Sequence, residues 1–270
     1  MDAPRTSLPP VLPPHQPVPS PSRLPGLRGA LGLIAVYFLL QMATGFLAAL
    51  LLGLGHRLLH PGMPADLPTL IAQPDISSAL VIVTLCGAAL GTLWLAHTRW
   101  PELWSRAEPP GFGFVAPATA YCVAAVALGV LLPLVGGKLT EWLAHGHAVP
   151  QDVKQLGSGA GTGLRIALTL AVATIGPVAE ELLFRGVLLS ALLRRMRAAR
   201  AVAVSAVLFA LVHLPDLRWL WYAVPNLALL GAALAWLRLR SGSLWPAVIA
   251  HACNNLLAML AMFVSLHQPG

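Results

Sequence analysis

Charge is what this 270-residue sequence has least of. Asp, Glu, Lys and Arg make up 10% of it, against 57% hydrophobic residues and a mean hydropathy of +0.75. Soluble globular domains carry about 25% charged residues, so that class is excluded, and the length suits one polytopic membrane domain. Cysteine is nearly absent. Cys86, Cys122 and Cys253 all fall within apolar runs, where an odd number at such positions excludes a disulfide framework and a zinc-finger spacing alike and suggests small core residues. No apolar stretch begins near Met1, which argues against a signal peptide. There is no His-Glu-x-x-His signature and no Ser or Cys in a nucleophile motif near the polar residues described below. No internal repeat of the kind many transporters carry is present. The net charge of +7 comes from basic residues dispersed through short loops. They form no basic face, so a nucleic-acid partner is not expected.

What is present is a succession of apolar runs. Residues 1–26 hold nine prolines and no such run, the composition of a disordered or polyproline-like tail. Spans are expected at about 29–54, 76–96 and 115–135, each near the ~20 residues that cross a bilayer. A polar segment, 138–163, follows, and its His145 and His147 read as exposed loop sequence rather than a metal site. The fourth element, 164–195, is too long for one straight span at ~1.5 Å per residue. Pro177 within it deletes the hydrogen bond to residue 173, so a kink or restart is expected there. Further spans are expected at 201–214, 219–236 and 244–266. The fold class is therefore all-α: a polytopic transmembrane helical bundle of seven spans, or eight if the fourth splits. Residues 27–163 form its N-terminal helices, and 164–266 a second unit.

Basic residues test this layout. With the N-terminus inside, cytosolic loops hold 11 of the 17 Lys and Arg and outer loops hold 5, the remaining one being Arg185. That bias favours a cytosolic N-terminus and an outside C-terminus. The eight tryptophans all fall at or just beyond an expected span end, where indoles sit at the headgroups.

Ten acidic residues occur, and only Glu180 and Glu181 lie inside an apolar run. An ionisable side chain at membrane depth costs a few kcal/mol on the mildest scale, about 2.5–3.5, so it usually faces a cavity, a partner or a reaction. Glu181 and Arg185 are four apart and share a helix face, whereas Glu180 points about 100° away. Arg185 is thus placed to neutralise Glu181 and leave Glu180 free. Phe209 and His213 are four apart, and so are His251 and Asn255. Each alone has an ordinary reading: His213 as an interfacial histidine, Asn255 as an interhelical hydrogen-bonding residue. Together they let three helices offer polar groups at one depth. Asn226, beside Pro225, reads as bonding backbone that the proline frees. A carboxylate and a histidine can strip a proton from water, and a second histidine with an amide can stabilise the oxyanion that follows attack on a carbonyl. Two histidines and a glutamate (Glu180, His213, His251) could alternatively hold zinc; Asn255 suits that role poorly.

Glu-Glu-x-x-x-Arg at 180–185, Phe-x-x-x-His at 209–213 and His-x-x-x-Asn at 251–255 resemble the three motifs of the CPBP intramembrane proteases. That family includes the CAAX prenyl endopeptidases and the Abi-type bacteriocin-immunity proteins. Ser241-Gly242-Ser243-Leu244-Trp245-Pro246 is also similar to bacterial members. The resemblance covers about residues 164–266. It implies an all-helical fold in which Glu180 and His213 activate water and His251 with Asn255 forms the oxyanion site. Glu181 and Arg185 would support them, with Phe209 beside the site. Members are commonly called metalloproteases, though metal participation is disputed, so zinc stays open.

The function expected is hydrolysis of peptide bonds in membrane-associated substrates, CAAX-type or bacteriocin-related, with lipid as the other partner and a bacterial inner membrane as the location. Two alternatives are a non-catalytic immunity or scaffold protein and a proton-coupled transporter.

Overall fold

The computed structural model describes residues 24–62, 66–106, 111–147 and 159–265, with side chains to Ala261. The Pro-rich tail up to residue 23, residues 148–158 of the polar segment and the expected span end at Leu266 lie outside the described residues. Among the described residues eight principal helices follow one another: α1 (Leu27–Leu59), α2 (Leu67–Ala72), α3 (Pro74–Arg99), α4 (Thr119–Ala144), α5 (Thr162–Leu193), α6 (Ala198–Leu211), α7 (Val224–Ser241) and α8 (Trp245–Ser265). Among the described residues there is no strand, and the molecule is a polytopic helical bundle. Five helices, α1, α3, α4, α5 and α7 with its leading turn, are long and apolar enough to cross a membrane; α6 and the stretch of α8 whose side chains are described, Trp245–Ala261, are shorter. Each of the seven apolar runs is thus a helix. The short α2, which begins Leu-Pro after Asp66 with proline in its first turn, was not anticipated.

The bundle is built around α5. More than half of its apolar window is buried (56%), against 17–22% for α1, α3 and α4, whose outer faces carry exposed Leu, Val and Trp side chains. From Leu182 to Leu189 every α5 side chain is buried. Around it, α1 packs on α3, α4 on α8, and α7 on α6, α4 and α8.

Small residues set the closest approaches. A Cβ on Gly129 of α4 would lie 2.5 Å from the Ala250 carbonyl oxygen and 2.6 Å from Cys253 Cβ of α8, so only glycine fits. Gly231 of α7 lets its backbone approach Ala206 of α6 in the same way. Such contacts replace the hydrophobic drive that lipid surroundings remove.

Pro177 does not break α5, contrary to the expectation of a restart. Instead the helix widens into a π-helical stretch at Ala171–Ile175, just ahead of the proline, and into a second at Leu182–Leu188, just past the glutamates. The wider turn keeps the proline ring away from the carbonyl it would strike in an α-helix. Splitting into eight spans therefore does not occur at this point.

One loop locks the other end of the core. Leu244 N–H donates to the Gly113 carbonyl (2.6 Å), and Ser243 Oγ donates to the Val115 carbonyl (2.6 Å). Phe112 is buried against Trp100 and Trp104, and Trp104 stacks on Phe114. The Ser-Gly-Ser-Leu-Trp-Pro stretch is the turn that receives this loop. Gly242, at φ +68°, ends α7 in the left-handed region that glycine adopts without strain. All three cysteines are free and partly buried.

Candidate active site

Glu180 and Glu181 lie on α5 between the two π-helical stretches. Arg185 Nη1 donates to Glu181 Oε1 at 2.8 Å, with both side chains fully buried. Arg185 Nη2 donates to the Gly231 carbonyl of α7 at 2.9 Å, and the guanidinium lies 4.5 Å from the centre of the Phe209 ring. The charge is thus held by a carboxylate, a backbone carbonyl and an aromatic face.

Phe209 ends up between the two histidines. Its ring centre lies 4.7 Å from that of His213 and 5.6 Å from that of His251, and it meets Phe184 edge-on at 5.2 Å. His213 sits just past the end of α6, where its Nδ1 donates to the Phe209 carbonyl at 2.6 Å. His251 is buried on α8, and its Nδ1 donates to Glu181 Oε1 at 2.9 Å. In both rings, then, an acceptor fixes the hydrogen on Nδ1 and turns Nε2 the other way.

Both Nε2 atoms face one oxygen. His213 Nε2 is 3.5 Å and His251 Nε2 is 3.8 Å from Glu180 Oε2. These separations exceed the 2.7–3.2 Å of a direct hydrogen bond, and such gaps suit a shared water or substrate atom. The Glu180 and His213 side chains are 18% and 25% exposed, whereas Glu180 Oε2 itself is buried with no hydrogen-bond partner among the described residues and the Glu181–Arg185 pair behind it is fully enclosed.

Asn255 is one helical turn beyond His251, and its amide is committed elsewhere. Its Nδ2 donates to the Val172 carbonyl at 3.0 Å, and its Oδ1 accepts from Asn254 Nδ2 at 3.3 Å. Asn226 packs its amide at Gly136 of α4, where a Cβ would collide with it. His145 and His147 are exposed at the end of α4, His145 in a left-handed conformation.

Two imidazole Nε2 atoms and a carboxylate are suitable donor types for zinc, with Nδ1 hydrogens engaged as metal-bound histidines require. Among the described residues, however, no group of three His, Cys, Asp or Glu side chains is arranged to hold a metal ion. Zinc on Glu180, His213 and His251 has the chemistry without a preformed arrangement.

Tyr37 escaped the sequence analysis. It is buried on α1, its hydroxyl has no hydrogen-bond partner among the described residues, and it lies within electrostatic range of Glu180. The signal available was a hydroxyl in mid-span. Nothing in the sequence brings α1 to α5.

Residues 162–257 match the family model described as Rce1-like, type II CAAX prenyl endopeptidase Rce1-like. The matched segment runs from the start of α5 into α8 and contains all three motifs, so the resemblance drawn from them holds over that segment. It covers a little over a third of the chain and is similar to a peptidase family. No curated protein and no solved structure matches the chain.

Proposed function

We propose that this protein is an integral-membrane endopeptidase that hydrolyses a peptide bond in a membrane-associated substrate with water activated by Glu180 and His213. The observation that carries this reading is the convergence of Glu180 Oε2 with the Nε2 atoms of His213 and His251, in a partly open site backed by a dry ion pair. Similarity of the same segment to a peptidase family supports it.

Charge balance argues for how the groups divide the work. Two carboxylates and one guanidinium leave one negative charge in a buried cluster, and burial favours neutrality. With its Nδ1–H spent on Glu181, His251 offers an Nε2–H donor in its doubly protonated form, the form that this division of work uses. A water between Glu180 and His213 then loses its proton to that pair as its oxygen attacks the scissile carbonyl. The carbonyl oxygen takes the electron pair and its negative charge is met by His251 Nε2–H. When the C–N bond breaks, the leaving amine takes the proton back from the Glu180–His213 pair. With His213 Nδ1–H on the Phe209 carbonyl, Nε2 is the nitrogen that faces Glu180 for this transfer.

The substrate class that fits is an extended peptide presented at the bilayer, CAAX-type or bacteriocin-related, in a bacterial inner membrane with the N-terminus cytosolic. The test is cleavage of a peptide library, with and without a C-terminal lipid, by purified protein in detergent or liposomes. Site-specific cleavage is expected. Failure to cut any member, with proton flux in proteoliposomes, would favour the transporter. Failure to cut without flux would favour the non-catalytic protein.

A further inference from the structure

We infer that Asn255 is a positioning residue: it holds the π-helical stretch ahead of Glu180 by donating to a backbone carbonyl that Pro177 orphans. The Gly176 N–H donates to the Ala171 carbonyl, five residues back. It is therefore unavailable to Val172, which it would serve in an α-helix. In the π pattern the donor for Val172 is residue 177, and that residue is proline, which has no N–H. Neither helical donor reaches the Val172 carbonyl. Asn255 Nδ2 does, from α8, at 3.0 Å. The amide group thus fills a vacancy in the backbone ladder that the combination of π-turn and proline creates, at a carbonyl that is partly buried and costly to leave unpaired.

The consequence falls on Glu180, three residues past Pro177. A π-turn inserts one extra residue, which rotates all that follows by about 100° relative to an uninterrupted α-helix. The direction of Glu180 therefore depends on whether the π-turn at Ala171–Ile175 persists. With the Asn255 donor in place, Glu180 Oε2 stands opposite His213 and His251. Asn255 then acts on turnover through Glu180 and has no need to touch the substrate. The catalytic consequence rests on the peptidase reading, whereas the backbone role does not.

The two residues form a testable pair. Pro177→Ala restores an N–H that can reach the Val172 carbonyl in the π pattern, which makes the Asn255 amide dispensable. Asn255→Leu keeps the volume and removes the donor. In the full-length, detergent-solubilised protein, N255L is expected to lower the melting temperature by about 2–4 °C. In the P177A background it should shift it by about 1 °C or less. With a cleavable peptide, N255L should lower kcat and leave KM unchanged, and P177A/N255L should recover kcat to within about twofold of P177A alone. An equal melting shift in both backgrounds overturns the inference. So does a kcat that stays low in the double variant, the result expected if Asn255 donates to the oxyanion. If N255L fails to fold, folded P177A/N255L supports the pairing and an equally unfolded double variant overturns it. The melting cycle needs no substrate, so it decides the point even if the peptidase reading fails.

Discussion

His251 Nδ1 lies 2.9 Å from Glu181 Oε1, the same oxygen that receives the Arg185 guanidinium at 2.8 Å. One carboxylate oxygen thus serves both its own helix and α8. It neutralises the buried cation and sets which way the His251 ring presents Nε2. The adjacent glutamates differ accordingly: Glu181 is enclosed in the ion pair, and Glu180 is the partly exposed one.

Removing either member of the buried pair strands the other charge. Glu181→Ala and Arg185→Ala are each expected to cost about 3–5 kcal/mol, seen as a fall in folded yield and melting temperature in detergent. An unchanged melting temperature in either variant would mean that the pair is not a stabilising element.

Phe209 is the second element behind the site. Phe209→Ala should destabilise by about 3–5 kcal/mol through the lost ring. It should also lower turnover more than stability alone explains, because both histidine rings and the guanidinium lean on it. Phe209→Leu should recover most of the stability and less of the activity. Equal recovery of both would limit Phe209 to packing.

Much of this was legible from spacing. Glu181 and Arg185 four apart meet as the helical period requires, and the three motifs predict three elements that do converge. The bond from His251 to Glu181 was not legible, since it depends on how α8 packs on α5, and no periodicity encodes that. Nor was the response to Pro177. The α-helical rule places the orphan at residue 173, whereas the π-turn moves it to Val172, where Asn255 waits. That shift also separates two uses of Asn255 that its sequence position cannot distinguish. The contributions of α1 and of the loop at 111–118 were hidden for the same reason: Tyr37 and Phe112 reach the core only through tertiary packing.

The α4–α8 contact ties the N-terminal helices to the site. Gly129→Ala would push against the Ala250 carbonyl, the residue next to His251. Overpacking of this kind costs about 1–3 kcal/mol, and here it should reduce turnover as well as melting temperature. Retention of full activity and stability would show that α8 can shift without moving His251.

Metal removal separates the two chemistries that the donor set permits. Prolonged treatment with a strong chelator is expected to leave turnover intact, because the proposed steps use protons held by Glu180, His213 and His251. Loss of activity on chelation, restored by added zinc and accompanied by metal release in His251→Ala, would replace the water-activation account with zinc ligation.

The most direct measurement is turnover of a cleavable peptide by purified Glu180→Gln beside the wild type, with melting temperatures recorded for both. The substitution keeps the side chain's shape and removes only the carboxylate that faces both Nε2 atoms. The account predicts a folded protein of wild-type melting temperature with turnover lower by at least about 10²-fold, the loss expected on removing a general base. A folded Glu180→Gln that still cleaves at a near-normal rate would contradict it.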